Sequence, residues 1–237
     1  MHISHHVVFW DFDGTIAQRQ NRWSGALLDA WKIIDPTATA TVDQIRPHLK
    51  SGFPWHDPDT TREVQSPAAW WAQVEPMFIE AYTANGLSPA HARVAASHVP
   101  QQYYRPDAWS LTGGATDALR LTRDAGFRNI ILSNHAPELP GLVRSLGLAE
   151  WVERTITSAS VGAEKPNPAI FAYAIEAAEA DTRTTWMVGD NPIADIQGAR
   201  SVGLRAIPIN GAAPGSDGLT LTEAAERVVR HNHDRHA

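Results

Sequence analysis

Val7-Val-Phe-Trp-Asp-Phe-Asp-Gly-Thr15 is the stretch that decides the fold, because an apolar run leads straight into two aspartates and a glycine. An uninterrupted apolar run of this length is typical of a strand buried on both faces, as in a parallel sheet. Side chains alternate along an extended chain, so Asp11 and Asp13 should project to one side while Phe12 points into the protein. The carboxyl ends of such strands carry the ligand sites of α/β proteins. We therefore predict an α/β fold with a pair of carboxylates at the end of its first strand.

The composition limits the chemistry of that site. The chain has 237 residues, no cysteine and a formal net charge of -6. Without thiolates, a metal would have to be held by oxygen or imidazole ligands. The acidic balance and the absence of any block of basic residues argue against binding to nucleic acid. No apolar run approaches the length of a membrane span, so we expect a soluble, cytoplasmic protein that does not bind a membrane.

Two further predicted strands also end in polar groups. The run Ile130–Leu132 leads into Ser133 and Asn134, and the run Thr185–Val188 leads through a glycine into Asp190. The carboxyl ends of parallel strands meet at one edge of a sheet, which is where doubly wound folds bind ligands. We therefore expect these side chains to lie close to the first pair of carboxylates.

A lysine and another aspartate accompany these strand ends. Lys165 precedes a helix whose start is indicated by Asn167-Pro168, and Asp195 falls in the first turn of a later helix. Backbone donors and the dipole at a helix N-terminus favour an anion, and a lysine there adds positive charge. The sequence thus predicts an anion site that includes Lys165.

Together, these groups fit the transfer of a phosphoryl group to a carboxylate and then to water. Asp11 would be the nucleophile that forms an aspartyl-phosphate. Asp13, which its neighbour pushes toward the protonated form, would protonate the leaving oxygen and later deprotonate water. Ser133, the backbone at Asn134, and Lys165 would hold the oxygens of the transferring phosphate.

A metal site follows from the same residues. Asp190, Asp11 and the main-chain carbonyl of Asp13 offer the hard oxygen ligands that magnesium prefers. We therefore predict Mg²⁺ as the cofactor. Asp195 would orient Lys165 or a metal-bound water rather than hold the metal itself.

The long segment between the first and second of these strands reads as helical. A stripe of apolar residues runs from Trp23 to Ile34, and Ser66-Pro67 and Ser88-Pro89 each place a capping hydroxyl before a proline at a helix start. Towards the C-terminus, Arg205–Ile209 is predicted as an edge strand and Thr220–Glu223 as a capping box. The His-rich end, residues 231–236, is predicted to be a frayed tail.

One loop in the helical segment belongs to no helical stripe. Residues 51–59 form a proline-rich aromatic loop that we expect to contribute little to any periodic core. Within its part 52–57, Trp55 and His56 offer apolar surface and a titratable donor. These two residues either contribute to substrate specificity or simply pack within the loop. Nothing in residues 16–108 is a motif for a particular leaving group.

Four motifs in chain order resemble those of the haloacid dehalogenase-like (HAD) hydrolases. They are Asp-Phe-Asp-Gly-Thr (11–15), Ser-Asn (133–134), Lys165 and Gly-Asp-Asn-Pro-Ile-Ala-Asp (189–195). The resemblance implies a Rossmann-like, doubly wound parallel sheet with the first strand central and a helical cap inserted after the first motif. It assigns residues 1–15 and 109–237 to the catalytic core and residues 16–108 to the cap domain. In detail the chain looks like the subfamily of phosphoglycolate phosphatase and the 2-haloacid dehalogenases.

The function implied is magnesium-dependent hydrolysis of a small phosphate monoester, with a small phosphorylated metabolite as partner. Dehalogenase relatives lack the acid/base aspartate and need no metal, whereas Asp13 is present here. Phosphomutase relatives usually have Val or Ala at the position of Thr15. A phosphoacceptor or non-catalytic binding module is the alternative from another class. Signalling modules of that kind place their phosphoacceptor on a later strand than their acidic pair, and a binding protein would be expected to have lost a catalytic residue.

Overall fold

The computed structural model describes residues 5–64, 66–209 and 218–233. The chain divides into two compact units, the first made of Met1–Gln18, Pro58–Val64 and Ser110–Ala237, and the second of Arg19–Asp57 and Gln65–Trp109. The second unit covers most of residues 16–108, the segment assigned to a cap, but it also includes Trp109, while residues 16–18 and Pro58–Val64 belong to the first unit. The assignment of the two units as catalytic core and cap stays a prediction.

Hydrogen bonds explain why residues 58–64 belong to the first unit. The amide of Arg62 donates to the carbonyl of Gly162 at 2.7 Å, and Asn167 Nδ2 donates to the carbonyl of Pro58 at 3.0 Å. Gly162 has φ +78°, and a Cβ there would lie 2.0 Å from the Arg62 oxygen, so only glycine fits this approach. A sequence pattern of helices could not reveal this pairing.

The first unit contains a five-stranded sheet in the order β5-β4-β1-β6-β7, in which every pairing is parallel. The predicted α/β class is thereby confirmed. Its first strand is central and all four of its residues are buried, as expected of a strand with neighbours on both sides. The strands are β1 (Val7–Trp10), β4 (Arg128–Ser133), β5 (Arg154–Thr157), β6 (Trp186–Gly189) and β7 (Arg205–Pro208).

The register of the sheet aligns the strand ends. Trp10 faces Ile131 on one side and Val188 on the other, so β1, β4 and β6 finish at the same edge. Asp11 follows directly and its amide donates to the carbonyl of Val188 at 2.9 Å. The residues after these strands are therefore brought together at one edge.

Helices α5 to α10 complete the first unit, and the short helix α9 continues from a π-helical turn, Pro192–Gln197. The predicted capping box is present, since the Thr220 amide donates to Glu223 Oε2 at 2.8 Å. The expectation of a frayed tail from residue 231 is wrong in part, because α10 continues to His233 and the His231 ring packs on Trp186. Residues 234–237 lie outside the described residues. The helices are α5 (Ala115–Asp124), α6 (Leu139–Ser145), α7 (Ser158–Val161), α8 (Pro168–Ala177), α9 (Gly198–Ser201) and α10 (Leu221–His233).

The second unit is helical, as predicted. Ser66 and Ser88 cap α3 and α4, each accepting a hydrogen bond from the amide three residues later. Short 3₁₀ turns cover Arg46–Leu49, Pro54–His56 and Pro106–Ala108. Across the described parts of the chain, no helix is long and apolar enough to cross a bilayer. The helices are α1 (Arg22–Ile34), α2 (Val42–Ile45), α3 (Pro67–Ala84) and α4 (Pro89–Tyr103).

A cluster of aromatic rings forms the core of the second unit. Trp23 stacks on Tyr103 with ring centroids 3.8 Å apart and lies 4.7 Å from Phe53. Phe53 is buried. The expectation that residues 51–59 contribute little to a core is therefore wrong for Phe53, whose contacts come from helices distant in sequence.

Two three-residue strands, β2 (Ala17–Arg19) and β3 (Trp109–Leu111), pair where the chain passes from one unit to the other. The sequence analysis did not predict them. A run of three residues carries too little alternation to separate a strand from a loop.

Candidate active site

Asp11 is a buried carboxylate at the end of the central strand, with 6% of its surface exposed. Its Oδ1 accepts hydrogen bonds from Ser133 Oγ at 3.1 Å and from Lys165 Nζ at 2.8 Å. Its Oδ2 accepts from Thr15 Oγ1 at 3.2 Å. Three donors therefore surround this carboxylate and fix its orientation.

Lys165 has only 2% of its surface exposed, and its ammonium group has three acceptors. Nζ donates to Asp11 Oδ1 and to the carbonyl of Leu132 at 2.8 Å each, and to Asp195 Oδ1 at 2.5 Å. Burial alone would lower the pKa of Lys165, but the charges of Asp11 and Asp195 outweigh it and hold the pKa above its ordinary value. The lysine is therefore a cation fixed between two carboxylates.

Lys165 lies just ahead of α8, where the sequence placed it. Its side chain reaches the carboxylates at the strand ends, while Asn167 Oδ1 caps that helix by accepting from the Ala169 amide at 3.0 Å. Two acidic groups buried at the strand ends each require a cation or a proton, and the lysine supplies the cation. The predicted contact of Lys165 to phosphate stays a prediction.

Asp195 is buried on the other side of the lysine. Its Oδ2 accepts from the amide of Asn191 at 2.9 Å. A Cβ on Gly189 would lie 2.2 Å from the same oxygen, so glycine is required where Asp195 approaches the end of β6. Burial raises the pKa of Asp195 above the usual carboxyl range, and Lys165 opposes that change. These contacts agree with the predicted part of Asp195 in orienting the lysine.

Three carboxylates lie close enough to share a cation. One oxygen from each of Asp11, Asp190 and Asp195 lies within 4.8 Å of the others. Asp190 is partly exposed, and its amide donates to Thr15 Oγ1 at 3.1 Å. A set of carboxylate oxygens fits Mg²⁺ better than a softer metal ion. The donor set thus fits the cation that the sequence predicted, and Asp195 adds a third carboxylate beside it.

Asp13 is more open than Asp11, with 26% of its side chain exposed. Its Oδ1 lies 3.6 Å from Nε2 of the buried His135, whose ring meets Phe12 edge to face. His135 follows Ser133 by two residues, and this spacing from the strand end is the only sign of its position in the sequence. The spacing does not show which way the ring points, so no role could be predicted for it.

Asn134 holds the loop that carries the lysine. Its side chain donates from Nδ2 to the carbonyl of Lys165 at 2.8 Å and accepts at Oδ1 from the amide of Lys165 at 2.6 Å. The amide side chain is therefore engaged with protein, and the predicted contact to phosphate would come from the backbone at Asn134.

Two further residues of this region were missed. Thr15 links Asp11 to Asp190 by donating to one and accepting from the other. Glu164 has 3% of its surface exposed, and burial raises its pKa to about 7, while a hydrogen bond from Ser158 opposes the increase. The link from Thr15 to Asp190 joins residues far apart in the chain, and the burial of Glu164 depends on how the chain packs around it, so neither can be seen in the sequence.

Trp55 and His56 lie in the second unit, on the wall of a cavity of about 550 Å³. Trp55 is half-buried and stacks on Phe53 with centroids 4.4 Å apart. His56 Nδ1 accepts from the Phe53 amide at 3.3 Å, and partial burial lowers the pKa of this histidine. Their predicted part in substrate specificity stays a prediction.

Comparison with known families agrees with the motifs. A sequence profile described as haloacid dehalogenase-like hydrolase matches residues 5–203, which is most of the chain. The chain belongs to the haloacid dehalogenase-like hydrolase family. Among relatives of this HAD hydrolase, the human haloacid dehalogenase-like hydrolase domain-containing protein 3 is 32% identical over 143 residues. That match covers 60% of this chain and 56% of the human protein, so the chain spans little more than half of that relative.

A second relative and a solved structure extend over more of the HAD hydrolase. Glyceraldehyde 3-phosphate phosphatase of Pyrococcus abyssi is 26% identical over 211 residues, covering 85% of this chain and 79% of that protein. The magnesium-bound structure of the putative HAD-hydrolase YfnB of Bacillus subtilis superposes with a TM-score of 0.73 at 21% identity, covering 94% of this chain and 98% of the other. The latter likeness shows a shared fold.

Proposed function

We propose that this HAD hydrolase is a magnesium-dependent phosphatase that hydrolyses a small phosphate monoester through an aspartyl-phosphate on Asp11. The observation that carries the proposal is the Asp11 carboxylate, held at the end of the central strand by Ser133 and Lys165. Asp13 follows it by two residues, which favours a phosphatase over a dehalogenase. The archaeal relative named as a phosphatase supports the same reaction class.

In the first step, a carboxylate oxygen of Asp11 forms a bond to phosphorus while the ester P–O bond breaks. Asp13 gives its proton to the departing oxygen, so the leaving group departs as an alcohol. The hydrogen bonds now made to Asp11 by Ser133 and Lys165 place both donors next to the reacting atoms, where they stabilise the transferring oxygens. Loss of one such donor typically costs about 3 to 4 kcal/mol of transition-state stabilisation.

In the second step, Asp13 takes a proton from water as the water oxygen attacks phosphorus. The bond from phosphorus to Asp11 breaks and the carboxylate is restored, with inorganic phosphate as the product. The position of Asp13 suits both steps, because its partial exposure lets it meet an alcohol oxygen and then a water.

Asp11, Asp190 and the main-chain carbonyl of Asp13 would hold Mg²⁺. When bound there, the ion offsets the negative charge shared by phosphate and Asp11. Asp195 acts by holding Lys165 in place through its Oδ1.

The test separates the two aspartates with an activated ester, p-nitrophenyl phosphate. Asp11→Asn should form no phosphoenzyme, whereas Asp13→Ala should accumulate it, because a good leaving group hardly needs a proton but water still does. Acid-quenched protein would be analysed by mass spectrometry, with the exposed Asp117→Asn as the matched control. Equal phosphorylation of both variants, or turnover by Asp11→Asn, would contradict the assigned roles.

A further inference from the structure

The cavity of about 550 Å³ is lined wholly by residues of the second unit. Basic and aromatic side chains dominate it, and none of the described residues that line it is acidic. Pockets for small molecules usually combine apolar walls with a few polar groups that fix orientation. The lining residues are Arg19, Asn21, Arg22, Trp23, Ser24, Arg46, Leu49, Lys50, Phe53, Trp55 and His56.

The first turn of α1 forms one side of this cavity. Asn21 and Arg22 have φ +57° and +46°, a left-handed conformation that costs free energy for residues other than glycine. Among the described residues, the Asn21 side chain makes no capping hydrogen bond and the first turn of α1 has no acidic residue. The amides at a helix start favour an anion, so this end of α1 offers positive potential to a ligand.

Arg19 adds a buried donor to the same wall. With 5% of its surface exposed, it binds Asp29 through Nη2 at 2.6 Å and the carbonyl of Arg22 through Nη1 at 3.0 Å. Its Nε has no hydrogen-bond partner among the described residues. Because the Nε atom is itself buried, Arg19 supplies positive charge at the cavity wall rather than a donor open to a ligand.

Two exposed cations stand beside the buried arginine. Arg22 and Lys50 line the cavity and make no ion pair within the described residues, whereas Arg46 pairs with Asp43 at 2.7 Å. The positive charge of the cavity is therefore only partly matched by protein carboxylates.

The apolar part of the cavity wall consists of aromatic rings. Phe53 and Trp55 stack with an interplanar angle of 12°, and Trp23 lies 5.9 Å from Trp55. Trp23 and Trp55 are half-buried, so each presents part of its surface. Aromatic faces of this kind favour a planar ligand stacked on them.

We propose that this cavity binds a small organic anion, with a carboxylate or phosphate group near Arg22 and Lys50 and a flat unsaturated body against Trp55. The proposal does not depend on the phosphatase reaction. A ligand of this chemistry is either the non-reacting part of the substrate or a separate effector.

Isothermal titration calorimetry on the full chain tests the site with benzoate, and with benzamide as its uncharged isostere. Benzoate should bind at least about tenfold more tightly than benzamide, and added salt should weaken it. Arg22→Gln and Lys50→Gln should each weaken benzoate about fivefold or more, and Trp55→Leu should weaken both compounds. Lys32→Gln removes a charge from the other end of α1 and should change nothing. No binding of benzoate up to about 10 mM, equal affinity for both compounds, or an equal loss in Lys32→Gln would overturn the proposal.

Inhibition kinetics identifies the source of the ligand. With p-nitrophenyl phosphate as substrate, competitive inhibition by benzoate assigns the cavity to the substrate, and an altered rate without competition assigns it to an effector. The Asp11→Asn variant should bind benzoate as the unmodified chain does. Binding without any phosphatase activity would therefore refute only the proposed function.

Discussion

Two sites, one in each unit, handle charge in opposite ways. In the first, the charges of Asp11, Lys165 and Asp195 are buried in direct contact with one another. In the second, Arg22 and Lys50 stand exposed at a cavity walled by rings, with no carboxylate among its described lining residues. A buried charge must be matched within the protein, whereas an exposed one is solvated by water until a ligand replaces that water.

From this difference we expect the two sites to serve different purposes. The buried cluster keeps two carboxylates and a lysine in fixed positions, as group transfer requires. The exposed cations Arg22 and Lys50 contribute little to packing, so they can be substituted at small cost in stability. We expect variants of the first unit to affect stability or the rate itself, and those of the second to alter the choice of ligand.

The largest effect is expected from Lys165→Met. Removing the cation leaves Asp11 and Asp195 buried side by side, which should lower the free energy of unfolding by about 3 to 5 kcal/mol at pH 8. Because the pKa of Asp195 is raised in the folded state, protonation favours folding and part of the loss should be recovered at pH 5. Urea denaturation in EDTA measures the free energy of unfolding at pH 8 and at pH 5, with the exposed Lys32→Met as control. A loss below about 1 kcal/mol would show that the buried charges are not coupled as described.

Glu164→Gln should stabilise the protein at high pH. The pKa of Glu164 is raised by burial from 4.5 to about 7, so its stabilising proton is present below about 4.5 and is lost as the pH rises through 7. A neutral glutamine avoids the buried charge, and the free energy of unfolding at pH 8 should rise by up to about 3 kcal/mol, with little change at pH 4. Urea denaturation at both values, compared with the exposed Glu150→Gln, checks this. An equal increase in the free energy of unfolding at pH 4 and at pH 8 would show that the raised pKa of Glu164 is not its cause.

Asp190→Asn should reduce phosphatase activity about 100-fold or more, since it removes a predicted ligand of magnesium. The free energy of unfolding should change by less than about 1 kcal/mol, because Asp190 is partly exposed and contributes no packing. Steady-state rates with and without EDTA, beside Asp117→Asn, provide the measurement. Full activity of the unmodified chain in EDTA would rule out the metal.

The smallest effect is expected in the second unit. Trp55→Ala and His56→Ala should change the relative kcat/KM among sugar phosphates, phosphoglycolate and nucleoside monophosphates by more than tenfold, about 1.4 kcal/mol. Activity on acetyl phosphate should change much less. A uniform decrease in kcat/KM for all esters would show that Trp55 and His56 have only a structural part. It would also weaken the contrast between the units.

The sequence predicts the first unit better than the second for a physical reason. Asp11, Ser133 and Asp190 each follow an apolar run that is recognisable locally, and parallel strands align such ends without further information. The class of fold is confirmed on this basis, while the catalytic roles stay predictions.

What the sequence could not predict depends on contacts between distant residues. The burial of Glu164 arises from its surroundings rather than from its neighbours in the chain, and the same holds for the position of His135 beside Asp13. In the second unit, Trp23 could be placed on a helix, but its stacking on Tyr103 joins residues eighty positions apart. Apolar periodicity shows which face of a helix is buried, but it does not show which residues that face contacts.

The central place of β1 has a consequence for biosynthesis. Of the five strands of this sheet, β1 leaves the ribosome before the others, yet Val8 pairs with Asn129 and Trp186, so its nearest neighbour in the sheet is synthesised about 120 residues later. At translation rates of about 5 to 20 residues per second, the apolar strand waits several seconds or more for a partner. Until β4 emerges, the nascent chain carries an unpaired sheet edge that is prone to aggregate, and a chaperone that shields β1 would serve folding best during that interval.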